Sequence, residues 1–247
     1  MAIHDFTSER LFVDAPLQAG ERITLSPDQA NYLFNVLRLD AGAELLVFNG
    51  CDGEWRARID RPAKRTAVLD TIAKVRDQTG GPDIEYLFAP LKRARLDYMV
   101  QKAVELGVAR LRPVMTRRTV AERINLERMR ANAIEAAEQC GVLRLPEIVP
   151  PERLDAVIAA WDPRRPLVVA DEEAAVASPT MALAALPVGS PLGVLIGPEG
   201  GFAPEERAAL LSRPFVLPLS LGPRIMRADT AAVAALSLVN AVVGDWR

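Results

Sequence analysis

Two glycine-punctuated runs near the C-terminal end carry the residues best placed to do chemistry. They are Leu195-Ile196-Gly197-Pro198-Glu199-Gly200-Gly201-Phe202 and Leu219-Ser220-Leu221-Gly222-Pro223-Arg224-Ile225-Met226-Arg227-Ala228-Asp229-Thr230. Each follows an apolar run and precedes a helical pattern, so both read as β-to-α turns leaving the same edge of a sheet. Open α/β folds place ligands at that edge. Together the turns offer backbone amides, the Glu199 carboxylate and the Arg224 and Arg227 guanidiniums to one crevice.

The first turn does not have the chemistry of a phosphate loop. Cradling phosphates takes exposed amides with a Lys or Ser/Thr, whereas this loop has neither and places Glu199 where a pyrophosphate would be repelled. The G-x-G-x-x-G spacing of a dinucleotide fold is also missing. A ligand that is cationic, or rich in hydroxyl and amine donors, suits the loop better, and S-adenosylmethionine is one such molecule. A nicotinamide enzyme using the same crevice is the alternative that these two absences disfavour. Glu205 and Glu206, after Pro204, read as first-turn residues of a helix and not as site residues.

Composition narrows the remaining chemistry. The 247 residues are 50% apolar with net charge −2, enough to bury one large or two ordinary cores. Cys51 and Cys140 stand far apart, and His4 is the only histidine, so neither a disulfide framework nor a metal site is expected. Proton chemistry then falls to carboxylates, Arg, Lys, Tyr or water. The chain opens with apolar residues interrupted by Asp5, Glu9, Arg10 and Asp14, and no apolar run is long enough to span a bilayer. No membrane association and a cytoplasmic location are the expectation. Basic residues exceed acidic ones only between 79 and 150, by 12 to 9. They gather at Lys92-Arg93-Ala94-Arg95 and at Arg112, Arg117, Arg118 and Arg123, a local basic face of the kind that meets nucleic acid.

The elements that must position these groups fall into two parts. Residues 1–74 are β-rich, with strand patterns at 22–25, 43–48, 54–60 and 66–72, a turn at Asn49–Gly53 and a helix over 27–37 opened by Ser26-Pro27. Short strands at this spacing suggest a small barrel. Residues 75–83, containing Gly80, Gly81 and Pro82, read as a linker. From 84 to 247 strands and helices alternate in an α/β pattern: strands at 84–89, 111–115, 167–170, 192–196 and 215–219, and helices at 91–106, from Asn125 to 139, after Pro150-Pro151, from Pro204, and from 230 to 243. The last helix is apolar nearly all round, so more than one side must be covered.

Ile196-Gly197-Pro198-Glu199-Gly200-Gly201-Phe202 and Leu221-Gly222-Pro223-Arg224-Ile225-Met226-Arg227-Ala228-Asp229-Thr230-Ala231 resemble the RsmE-type uridine N3-methyltransferases of small-subunit (16S) ribosomal RNA, members of the SPOUT superfamily. The likeness extends over the whole chain through Asn35-Val36-Leu37-Arg38, Gln101-Lys102-Ala103-Val104-Glu105-Leu106-Gly107-Val108, Ala137-Glu138-Gln139-Cys140-Gly141 and Arg144-Leu145-Pro146-Glu147-Ile148. The chain departs from the pattern at Val142, commonly Arg, and at Ala203, usually Ser or Thr.

The resemblance implies a C-terminal SPOUT domain with a deep trefoil knot, S-adenosylmethionine held in the knotted loops, a PUA-like β-barrel that grips RNA, 16S rRNA or the small subunit as substrate, and a homodimer. On it, the cofactor contacts are Ile196, Gly197, Glu199, Gly200, Leu219, Leu221, Gly222, Ile225 and Met226. Arg227, Arg224 and Glu199 are the catalytic candidates, the arginines stabilising negative charge on the uracil oxygens while a carboxylate or water takes the proton. RNA contacts are expected at Arg38, Lys92, Arg93 and Arg95. Glu105 and Glu138 sit in the last turns of helices, where negative charge is disfavoured, and with Gln139 they are candidates for the nucleotide crevice. An ion pair from Glu105 to Lys102 or Arg110 is the plainer alternative. An RNA-binding protein without catalysis would use the barrel and the basic face alone.

Overall fold

The computed structural model describes residues 5, 8–63, 66–120, 123–175 and 178–246; His4 lies outside them. The chain divides into two compact units, one of residues 1–80 with 137–145, the other of 81–136 with 146–247.

The first unit holds β1 (Arg10–Phe12), β2 (Arg22–Thr24), α1 (Pro27–Asn31), β3 (Glu44–Phe48), β4 (Glu54–Ala63) and β5 (Thr66–Arg76), in a sheet of order β1-β3-β4-β5-β2. Period-two patterning builds it. In β4, Trp55, Ala57 and Ile59 are buried while Arg56 and Arg58 are exposed, and the inward residues join Leu33, Leu45, Val47 and Leu69 in one core. The four strands and the turn at 49–53 lie where the sequence places them. The expected barrel is a five-stranded sheet whose edge strands, β1 and β2, are not hydrogen-bonded to each other. β1 was not foreseen: it is three residues long, sits among charges, and pairs in parallel with β3, so it carries no readable period. β5 also runs through Arg76, into the expected linker.

The helix expected over 27–37 changes character midway. Ser26 and Gln29 cap α1 reciprocally, and the next turn, Tyr32–Val36, widens to π geometry, with the Leu37 amide donating to the Tyr32 carbonyl at 3.0 Å. Arg38 then reverses the chain at φ 57°, the one non-glycine residue with positive φ among those described.

The second unit contains β6 (Ile84–Phe88), α2 (Arg93–Glu105), β7 (Arg110–Met115), α3 (Leu126–Cys140, whose last residues belong to the first unit), β8 (Glu147–Ile148), β9 (Glu152–Arg153), α4 (Leu154–Ala159), β10 (Leu167–Ala170), α5 (Pro179–Leu183), β11 (Leu192–Ile196), α6 (Pro204–Leu211), β12 (Val216–Leu219) and α7 (Ala228–Val242). The sheet order is β12-β10-β11-β6-β7-β8, with β9 also on β7, and every pairing is parallel. β6 and β11 are buried at every residue, as strands covered on both faces must be. Gly193 in β11 is required by close approach: a Cβ there would lie 2.7 Å from the Trp161 ring. α7 buries Ala231, Ala232, Ala235, Leu236 and Val239, and its fully buried Asn240 donates to the Leu106 carbonyl at 2.8 Å, tying it to the end of α2. Val233, Ala234, Leu238 and Val242 remain partly exposed.

Candidate active site

Because β6, β7, β10, β11 and β12 are mutually parallel, the loops leaving their C-terminal ends share one edge of the sheet. At that edge a cavity of about 930 Å³, open mouth included, lies between the loop after β11 and the loop after β12. All nine residues expected to contact a cofactor, Ile196, Gly197, Glu199, Gly200, Leu219, Leu221, Gly222, Ile225 and Met226, line it, as does Arg224. Two sequence runs separated by α6 are thus brought to one concavity by the sheet order, not by their own spacing.

Local packing sets the shape of the first loop. A Cβ on Gly197 would meet the Phe202 ring at 2.9 Å, so only glycine lets the ring close over the backbone. Gly201 adopts φ 69°, its amide donating to the Pro198 carbonyl at 2.9 Å. Arg118 reaches across from the end of β7 and donates to the Gly200 carbonyl at 2.7 Å. α6 then starts as expected. Pro204 occupies its first turn, and the Glu206 carboxylate accepts the Ala203 amide at 3.1 Å and the Arg117 amide at 2.8 Å.

Charge gives the cavity its selectivity. Asp171, Glu172, Glu173 and Glu199 line it against Arg118, Arg207 and Arg224, one more anion than cations. Arg207 is engaged in two hydrogen bonds by Asp171, at 3.0 and 2.8 Å, and that pairing holds its pKa above the ordinary arginine value. Polyphosphate is therefore disfavoured. Apolar Ile196, Leu219, Leu221, Ile225 and Met226 provide walls for a flat ring, and Ile225 is 89% exposed at the mouth. A mixed apolar and anionic cavity fits the chemistry of S-adenosylmethionine, an aromatic base carried with a net positive charge. The loop Ala170–Glu173 was missed by the sequence reading because no glycine marks it. The available signal was that β10 sits between β11 and β12, so its loop must emerge between theirs.

Arg227 does not line the cavity. It is exposed at the N-cap of α7, three residues beyond Arg224, and neither guanidinium has a hydrogen bond or ion pair among the described residues. Lys92, Arg93 and Arg95 stand at the start of α2, on the same sheet edge, and that helix has no side-chain cap. Cations at a helix N-terminus oppose the macrodipole, which leaves them suited to an incoming anion. Arg95 is already paired, to Glu199. Arg112 is engaged by Glu85 and by Glu152 at 3.5 Å, so it belongs to the sheet and not to a free basic face.

Three residues expected in the crevice are not among those that line this cavity. Glu105 is at the C-terminal end of α2, the opposite edge of the sheet, and accepts from Lys102 at 2.6 Å, the plainer reading of that residue. Glu138 belongs to the first unit, where it accepts the Phe12 amide at 2.8 Å. Gln139, next to it, is exposed and outside the cavity lining. Both carboxylates break the helix-end rule in favour of a specific hydrogen bond, Glu105 within its own helix and Glu138 to a residue far away in sequence. Arg38 is exposed in the first unit. Among the described residues there is no group of three metal-ligating side chains, and no helix is long and apolar enough to cross a membrane.

Comparison with known proteins agrees with this geometry. The family described as an RNA methyltransferase domain matches residues 79–240, and an RNA methyltransferase PUA domain matches 25–72. The chain is 32% identical over 238 residues to ribosomal RNA small subunit methyltransferase E of Synechocystis sp., covering 94% of this chain and 77% of that one. It is 27% identical to the protein of the same name from Rickettsia conorii, covering 94% of each. A Legionella pneumophila protein described as a methyltransferase, solved with bound S-adenosylmethionine, superposes with TM-score 0.83 at 30% identity over 96% of this chain and 99% of that one. The chain belongs to the ribosomal RNA small subunit methyltransferase E family.

Proposed function

We propose that this protein transfers the methyl group of S-adenosylmethionine to N3 of one uridine in 16S rRNA. The observation that carries the reading is the single cavity built from both glycine loops, whose apolar walls and surplus of carboxylates suit a cationic nucleoside, with Arg224 in its lining and Arg227 three residues on, both without an ion-pair partner among the described residues. When bound, the cofactor supplies an electrophilic methyl carbon for an in-line displacement. The chain's share is to align donor and acceptor and to exclude water. Uracil N3 is a weak nucleophile while protonated and is hidden when paired, so the base must be extruded, its N3 proton passed to a carboxylate or water, and its developing negative charge stabilised. Arg227 and Arg224 are assigned to the uracil oxygens, and Glu199 to organising the cofactor or base.

In this reading residues 84–247 form the catalytic domain, with the backbone at the two loops threaded as a trefoil knot, 75–83 a linker, and 1–74 a PUA-like domain that grips RNA. Lys92, Arg93 and Arg95 take backbone phosphate at the head of α2, and Arg38 contacts RNA from the first unit. A homodimer in the bacterial cytoplasm, sealed by the half-exposed face of α7, completes the proposal. Transfer of labelled methyl from S-adenosylmethionine to deproteinised 16S rRNA and to assembled small subunits, followed by mass spectrometry of the nucleosides, tests it. The expected product is 3-methyluridine at one site. Another methylated nucleoside overturns the acceptor, and no incorporation into either substrate overturns the enzyme. Light scattering that gives a monomer mass at every concentration overturns the dimer.

A further inference from the structure

Four carboxylates line the cavity, and three of them have partners. Asp171 grips Arg207 with both oxygens, Glu173 lies 3.2 Å from the same guanidinium, and Glu199 is paired with Arg95. Glu172 alone has no hydrogen bond or ion pair among the described residues. Its position is set by topology: β10 lies between β11 and β12, so the residue two beyond its end emerges between the two glycine loops. One Glu172 oxygen stands 3.7 Å from where a Cβ on Gly201 would be, which places this solvent-exposed carboxylate beside the first loop.

We propose that Glu172 is the counter-ion of the cofactor's sulfonium, an inference that rests on the S-adenosylmethionine reading above. In that molecule the ammonium and carboxylate of the amino-acid portion offset each other, and the sulfonium is the charge left uncompensated. A partnerless carboxylate in a cavity whose other acids already hold guanidinium partners is the group available to meet it. Methyl transfer moves an electron pair onto sulfur and leaves an uncharged thioether. The attraction then disappears at the moment of product formation, so Glu172 would favour the methyl donor over its demethylated product and ease their exchange.

Calorimetric titration of the full-length protein with S-adenosylmethionine and, separately, S-adenosylhomocysteine tests this. Glu172→Gln is expected to weaken the donor by about tenfold and the product by no more than about twofold, the size of a partly solvated ion pair lost from one ligand only. Glu172→Asp, which keeps the charge, should retain most of the wild-type preference. Unchanged thermal melting of both variants would assign the losses to the ligand and not to folding. Equal losses for the two ligands, or none for the donor, overturn the proposal. If the wild-type protein binds neither ligand, the cofactor reading itself fails and this inference falls with it.

Discussion

Charged side chains are used in opposite ways in the interior of the first unit and around the glycine loops of the second. In the first, Glu54 is sealed between Arg10 at 2.9 Å and Arg76 at 3.2 Å, with side-chain exposures of 5%, 7% and 11%, and Arg76 also donates to the Gly141 carbonyl at 2.7 Å. In the second, Arg224, Arg227 and Glu172 are exposed and lack ion-pair partners among the described residues. Both regions are similarly rich in Arg and Glu, so composition does not separate them. Burial and pairing do: the first arrangement fixes the 137–145 segment within its unit, whereas the second keeps its charges available to a ligand.

The largest expected effect falls on the buried cluster. Replacing Glu54 with Gln removes the carboxylate that Arg10 and Arg76 share in the interior and should cost about 3 to 5 kcal/mol of unfolding free energy. Urea denaturation measures it, and a loss below about 1 kcal/mol would show that the cluster is already well solvated. Next comes Arg227→Ala, which should leave folding and cofactor affinity intact while lowering kcat by about 10² to 10³, the usual consequence of removing one preorganised donor from developing charge. Wild-type turnover in that variant would remove Arg227 from the mechanism.

This contrast also explains what could be read from the sequence. The nine residues expected at the cofactor, all of which line the cavity, were legible because β-to-α turns rich in glycine announce themselves, and because parallel strands deliver such turns to one edge. Asp171 and Glu172 were not, since an acidic loop without glycine looks like any solvated turn until the strand order is known. The helix-end carboxylates misled in the other direction. Glu138 at a helix end looks anomalous along the chain, but its partner is the Phe12 amide, 126 residues away, and no local pattern reveals that. β1 escaped for the same reason, being defined by a parallel partner, β3, and not by its own alternation. The π turn at Tyr32–Val36 keeps the composition of an ordinary helix, so only the hydrogen-bond pattern distinguishes it.

A smaller effect separates shape from charge within the crevice. Gly197→Ala drives a methyl group to within 2.9 Å of the Phe202 ring, and displacing that ring should cost about 1 to 3 kcal/mol, read as lost cofactor affinity with little change in melting temperature. Loss of stability instead, with affinity unchanged, would show that the methyl group disturbs the packing of the Phe202 ring against the core and not its place beside the cavity. Smaller still is Arg38→Gly. The left-handed backbone at φ 57° is unfavourable for arginine and easy for glycine, so stability should hold or rise by up to about 1 kcal/mol. RNA affinity should fall at the same time. A residue retained against its own backbone preference is better explained by a ligand than by the fold, and an RNA affinity equal to wild type would remove that explanation.

The smallest effect is expected where the helix-end argument was most tempting. Glu105 pairs with Lys102 one turn back on α2, with both side chains about one-third exposed, at the sheet edge opposite the cavity. An exposed pair of this kind contributes at most about 0.5 kcal/mol, and removing an anion from a helix C-terminus returns a similar amount through the dipole. Glu105→Gln should therefore leave both the denaturation midpoint and methyl transfer within error of wild type. A tenfold fall in methylation with unchanged stability would place Glu105 at the RNA after all. Since its own unit holds it at the far edge of the sheet, that result would require the nucleotide to be received by two copies of the chain together.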